Sequence, residues 1–223
     1  MNIKLFLEAI VKFFLGILII GLLLFVSANT INYWNGWLFM GLLFIPMFIV
    51  GIVMMVKSPD LLRKRLKAKE KQGEQKMVIL LSGLMFLVGF IIAGLNYRYN
   101  WIVIPKFVVI TSSIVFVLSY ILYAEVLREN TYLSRTIEVQ ENQKVVDTGV
   151  YGIVRHPMYA TTILLFLSMP LVLGSIISFA IFLIYPFIIA KRIKNEEEIL
   201  EKELLGYSEY KKKVKYKIIP FVW

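Results

Sequence analysis

The chain has 223 residues, no cysteine and one histidine. Without cysteine, disulfides, thiolate nucleophiles and cysteine-ligated zinc are excluded. Charge is also scarce: 18% of residues are Asp, Glu, Lys or Arg, while 59% are hydrophobic. Soluble domains are about 45–50% apolar on a similar residue set. With a mean hydropathy of +0.74, the composition indicates a polytopic membrane protein. The first apolar run is too long for a signal-peptide core, and no small-residue cleavage site follows it. Acidic residues are few as well, 15 against 25 Lys and Arg, for a net charge of +10. In a membrane protein such an excess reflects cytoplasmic loops facing anionic lipid, so no nucleic-acid partner is expected. Internal repeats and low-complexity tracts are absent from the sequence.

What is present is a set of long apolar runs. A helix needs roughly 20 apolar residues to cross a hydrocarbon core about 30 Å thick. Four spans are expected, at about 5–26, 36–56, 77–97 and 107–127. A fifth apolar region, 158–190, is too long for one helix and holds "MPLVLGS" near its middle. Pro170 and Gly174 there predict a tight turn and a helical hairpin. Its arms, of about 16 residues, would each measure roughly 24 Å. They are therefore expected to cross a thinned region or stop shy of the far surface.

Basic residues set the orientation. The loop "KSPDLLRKRLKAKEKQGEQK" (57–76) carries eight Lys/Arg and the segment 191–223 nine, whereas "SANTINYWNG" (27–36) has none. Positive-inside bias places both termini, the 57–76 loop and 128–157 in the cytoplasm. The loop reads as a lipid-facing surface helix or a topology determinant. Trp34, Trp37, Tyr97, Tyr99 and Trp101 fall at the opposite interface, as an aromatic belt would. The expected fold is an all-α polytopic membrane helical bundle: four spans, a C-terminal transmembrane hairpin and a cytoplasmic C-terminal helix. Two units are expected, a transmembrane bundle over 1–127 and a cofactor-binding core over 128–223 that includes the hairpin 158–190.

Polar residues capable of chemistry gather in 128–159 and 191–210, on either side of the hairpin. Arms of equal length return His156 and Arg192 to one membrane face, which makes a composite site. His156 precedes Pro157, so it is disfavoured from the α region and sits at a helix N-cap. The free amides of the next turn attract a carboxylate or phosphate, and Tyr159 lies about one turn on. The plain alternative is that His156 merely caps the helix at the lipid interface. In "RIKNEEEIL", Arg192 and Glu196 share a face at i,i+4, as do Glu197 and Glu201. They are either solvated intrahelical pairs or acids beside a membrane arm awaiting a positively charged ligand. Arg128 ends the fourth span either as a snorkelling anchor or as a bidentate holder of an anionic acceptor.

"TGVYGIVRHPMYA", then "RIKNEEEIL" beyond an apolar hairpin, then Gly206, Tyr207 and Tyr210 in "GYSEYKKKVKYKIIPFVW", resemble the isoprenylcysteine carboxyl methyltransferase and phospholipid methyltransferase superfamily. "SPDLLRKRL" is similar to its short bacterial members, and the specific resemblance covers about residues 125–223. It implies S-adenosylmethionine bound at the cytoplasmic mouth of a helical bundle and methylation of a membrane-embedded lipid or small hydrophobic acceptor. It also implies a bacterial or archaeal cell membrane. Carried over, Gln140, the Gly149, Val150 and Tyr151 turn, His156, Pro157 and Tyr159 would line the cofactor pocket together with Arg192 and Glu196 or Glu197. Arg128 matches the arginine that orients the acceptor carboxylate, assisted by one of the two glutamates. The chain is shorter at its N-terminus than the eukaryotic enzymes, which argues against a prenylated protein substrate more than against the chemistry.

Methyl transfer from a sulfonium is an in-line displacement by a donor already activated by its own charge. Alignment can then contribute several kcal/mol, and Tyr151 or Tyr159 could stabilise the sulfonium by about 0.5–2 kcal/mol. A carboxylate acceptor needs no base, while an amine or hydroxyl would need one, such as His156 or a glutamate. Two other readings stay open on the sequence: an NADPH-dependent membrane reductase of the sterol-reductase type, and a non-catalytic scaffold.

Overall fold

A computed structural model describes residues 3–66, 73–134, 136–137 and 139–223, without the side chains of 73 and 74. Part of the basic 57–76 loop, residues 67–72, thus lies outside the described residues. The described residues form nine α-helices and no strand. Four long ones match the four expected spans: α1 (Ile3–Ala28), α2 (Trp34–Lys57), α4 (Gly73–Tyr99) and α5 (Lys106–Glu129). Helices dominate because lipid cannot satisfy backbone N–H and C=O groups, so each segment must satisfy its own. Between α2 and α4, the short α3 (Pro59–Leu66) buries Leu61 and Leu62 while its last turn carries Arg63, Lys64 and Arg65.

The hairpin forms where "MPLVLGS" predicts it. Its first arm is α6 (Pro157–Val172), and Gly174 turns the chain at φ +80, a conformation glycine adopts without steric cost. The returning arm is two helices, α7 (Ile176–Phe182) and α8 (Tyr185–Glu203). Pro186 lies in the first turn of α8. It has no N–H to continue the ladder from Phe182, so the helix restarts there. Together Ile176–Glu203 are long and apolar enough to cross a membrane, as are the four long helices, whereas α6 is shorter.

The hairpin reaches the far end of the bundle, so of the two expectations it does not stop shy. Tyr33 Oη donates to Leu173 O at 2.6 Å, Asn35 Nδ2 to Val172 O at 2.9 Å and Asn96 Nδ2 to Gly174 O at 3.3 Å. Tyr33 and Asn35 begin α2 and Asn96 lies in the last turn of α4, so the tip is level with the turns joining α1 to α2 and α4 to α5. These bonds satisfy carbonyls that a tight turn would otherwise leave bare in an apolar layer.

Along its length α6 packs on α5, and α7 packs on α4. One apolar core runs through both halves of the chain, from Leu24, Phe39, Phe90 and Phe116 to Met169, Phe182 and Ile193. At the basic end, Lys64 Nζ donates to Thr131 O at 3.3 Å, bringing α3 against the chain that follows α5. The polar end of α8 continues into α9 (Tyr207–Lys213) after Gly206 at φ +85. The chain is an integral membrane protein with an all-helical polytopic fold.

Candidate functional site

Beyond Ala190 the α8 helix leaves its apolar stretch, and "KRIKNEEEILEKE" carries the polar face past the bundle. This return, with the N-terminus of α6, makes a cavity at the basic end that is open to solvent and spans about 830 Å³ including its mouth. Its walls include His156 and Tyr159 from α6 and its cap, Arg192 and Glu196 from α8, and Tyr151 and Tyr207. Tyr159 Oη donates to Glu196 Oε2 and accepts from Arg192 Nε at 2.8 Å. The His156 and Tyr159 rings stack at 5.7 Å between centroids. The hairpin therefore brings together the groups that the sequence placed on its two arms.

Behind this wall lies a buried ion cluster centred on Arg155, whose side chain is 4% exposed. Arg155 Nε and Nη2 donate to Glu197 Oε1 at 2.8 and 2.7 Å. Arg155 Nη1 donates to Val214 O and Lys215 O, both at 2.7 Å. The backbone completes the join: Arg155 N–H donates to Tyr216 O at 2.9 Å and His156 N–H to Lys217 O at 2.8 Å. Glu197 Oε1 also faces His156 Nε2 at 3.1 Å, and Glu197 Oε2 faces Lys217 Nζ at 3.5 Å. Burial opposes the Glu197 charge, but the His156 and Arg155 hydrogen bonds and charges outweigh it and hold its pKa down at about 2.

Other predicted residues fare differently. Gly149 takes φ +50, and a Cβ there would lie 1.5 Å from Glu129 Oε1. That carboxylate accepts from Val150 N–H at 3.0 Å, so the glycine seats a side chain that pins the turn. Gly149, Val150 and Pro157 support the wall, whereas Tyr151 lines it. Gln140 is placed outside the cavity: its side-chain amide donates to Tyr132 O and holds the loop whose Gln143 and Lys144 are lining residues. Arg128 is also outside. Its side chain is 74% exposed and donates from Nε to Glu125 Oε2 at 2.9 Å, an i,i+3 pair on α5. Its guanidinium finds a nearer carboxylate on its own helix than any in the cavity. Glu197 lies behind the wall, so of the two glutamates it is Glu196 that faces the cavity.

Sequence reasoning gave no role to Arg155, although a buried arginine demands a carboxylate and Glu197 was at hand. It also left Tyr207 without a function. The Tyr207 hydroxyl is buried without a hydrogen-bond partner. The Tyr151 hydroxyl is buried without a hydrogen-bond partner among the described residues as well. Burial, the largest influence, raises the pKa of both phenols. A neutral phenol with an open donor at a cavity wall is what a polar ligand would satisfy.

A second feature adjoins the cavity. A groove of about 990 Å³ opens on the apolar flank between α4 and the hairpin and shares Ser134, Met158, Tyr159 and Arg192 with it. Apolar side chains such as Val78, Ile79, Phe86, Phe166 and Ile189 line its depth. At its polar end stands Arg65 of α3, hydrogen-bonded to Tyr123 Oη and within 3.4 Å of Ser134 O. Among the described residues, no Asp or Glu side chain lines this groove.

No curated protein matched the sequence. The fold is similar to a solved structure described as the eukaryotic intramembrane Ras methyltransferase ICMT (isoprenylcysteine carboxyl methyltransferase) without a monobody. The TM-score is 0.55 at 16% identity, over 99% of this chain and 85% of that one. The model of the isoprenylcysteine carboxyl methyltransferase (ICMT) family matches residues 108–202, from α5 through the hairpin to the end of the glutamate cluster. Over those residues the chain is similar to the isoprenylcysteine carboxyl methyltransferase family.

Proposed function

We propose that the protein is an S-adenosylmethionine-dependent methyltransferase acting on a membrane-embedded amphiphile at the cytoplasmic interface. The observation that carries the reading is the meeting of two spaces at Tyr159 and Arg192: a polar cavity at the basic end and an apolar groove on the lipid flank. A water-soluble donor and a lipidic acceptor need such a junction, because neither partitions into the other's solvent.

The residues fit the donor. Arg192 and the unpartnered Tyr207 hydroxyl suit a carboxylate, and Glu196 suits an ammonium or ribose hydroxyls. Apolar Ile137, Val145 and Leu200 offer a surface for a purine. When bound, S-adenosylmethionine supplies a methyl group on a cationic sulfur, near which the Tyr151 and Tyr159 ring faces would be favourable. The chain's own work is then to bind, to align and to keep water from the junction.

The groove supports a narrower reading of the acceptor. Two guanidiniums, Arg65 and Arg192, stand at its polar end. That chemistry favours an apolar tail ending in an anionic head, and a carboxylate head needs no base. Arg65 thus takes the acceptor-holding part that the resemblance implied for Arg128.

Calorimetric titration of purified protein in detergent tests the reading, with saturable S-adenosylmethionine binding expected and none for NADPH. Binding of NADPH alone, or of neither, would overturn it. Labelled methyl donor added to membranes should then mark a lipid-extractable product.

A further inference from the structure

The three donors on Glu197 Oε1 constrain the only histidine of the chain. An ionised carboxylate accepts hydrogen bonds and donates none. Glu197 is held in that state by both Arg155 nitrogens, with Lys217 and Lys211 at 3.5 and 3.9 Å from Oε2. Where His156 Nε2 meets Glu197 Oε1 at 3.1 Å, the proton must therefore sit on Nε2. The ring is held in place as well. The His156 backbone N–H is tied to Lys217 O, and Tyr159 stacks on one face of the ring.

We propose that Arg155 is a positioning residue: through Glu197 it fixes His156 as the Nε2-protonated tautomer, so that Nδ1 faces the cavity as a hydrogen-bond acceptor. Arg155 suits this role because its fork has two loads. One edge orients the carboxylate, and Nη1 clasps the carbonyls of Val214 and Lys215, so the segment that anchors the His156 backbone and the acid that orients its ring are set by one planar group. Lysine, a point charge on a flexible stem, cannot hold both. On the cavity side Nδ1 lies 4.0 Å from Glu196 Oε1, whose partner oxygen is engaged by Tyr159. An N–H or O–H of a ligand entering between them would find two acceptors. For an amine or hydroxyl acceptor, Nδ1 is the lone pair aimed at the departing proton.

The proposal concerns the protein before anything binds, so it can be tested apart from methyl transfer. Because there is one histidine, labelling histidine ring nitrogens with 15N gives one pair of imidazole signals with no assignment problem. Recorded at alkaline pH in detergent, the native protein should show a protonated Nε2 and an unprotonated Nδ1. Arg155→Gln should lose this single-tautomer spectrum and give a mixture, and Arg155→Lys should restore it only in part. A proton on Nδ1, a ring still doubly protonated at that pH, or an unchanged spectrum in Arg155→Lys would overturn the assignment. If Arg155→Gln does not fold, the native and Arg155→Lys spectra decide. Failure to bind S-adenosylmethionine would count against the proposed function and leave this assignment standing.

Discussion

Glu197 has a carboxylate that is 6% exposed and faces an arginine, a histidine and two lysines. Its folded pKa of about 2 lies below the ordinary 4.5, so it binds its proton less readily folded than unfolded. Its stabilisation is complete above about pH 4.5, on the order of 3 kcal/mol, and is lost as the pH falls toward 2. Thermal unfolding in detergent should therefore show a steeper acid-side loss for the native protein than for Glu197→Gln. Parallel profiles would exclude the role. Glu197→Ala goes further, leaving Arg155 buried and unpaired, and should cost about 3–5 kcal/mol at neutral pH. At this scale the sequence was only partly legible. "RHPMY" and "EEE" mark the right neighbourhood, but which glutamate turns inward depends on the rotation of α8 against α6. Arg128 illustrates the converse: motif position suggested a ligand, while Glu125 three residues earlier captures it.

The helices themselves were the most legible part, because their cause is local. Apolar runs long enough to span must be helical, and Pro170 with Gly174 marks the turn. The break at Pro186 was missed although its signal is a single residue, since apolar composition hides a restart inside a hydrophobic arm. How closely the helices approach could not be read from the pattern. A Cβ on Gly94 would lie 2.7 Å from Leu24 O and 2.6 Å from Ser27 Cβ, so α1 and α4 touch through a glycine. Small residues at such crossings let backbones meet. Gly94→Ala should therefore destabilise the protein by about 1–3 kcal/mol. Gly83 on the same helix has nothing within 4 Å of its Cβ position. Gly83→Ala should be neutral or stabilising by up to about 1 kcal/mol. Equal melting shifts for the two variants would show that the contact between α1 and α4 carries no weight.

For the molecule as a whole, the alternation of basic and neutral turns predicts the topology, and the absence of cysteine makes its orientation easy to test. Asn32→Cys and Lys212→Cys stand at opposite ends of the bundle and are both exposed. An impermeant maleimide added to intact cells should label the first and reach the second only after permeabilisation, with no background from the native chain. The reverse pattern would invert the proposed topology. The groove beside α4 was invisible in the sequence, since its lining is the same Val, Ile and Phe that face lipid elsewhere. Only folding sets those residues against a polar mouth.

That groove also affects how kinetics should be measured. An acceptor drawn sideways from the hydrocarbon layer is sampled by its mole fraction there, not by its bulk molarity. Adding inert detergent at constant amounts of protein and acceptor should then slow turnover by surface dilution. Each micelle is, in effect, a reagent to be titrated.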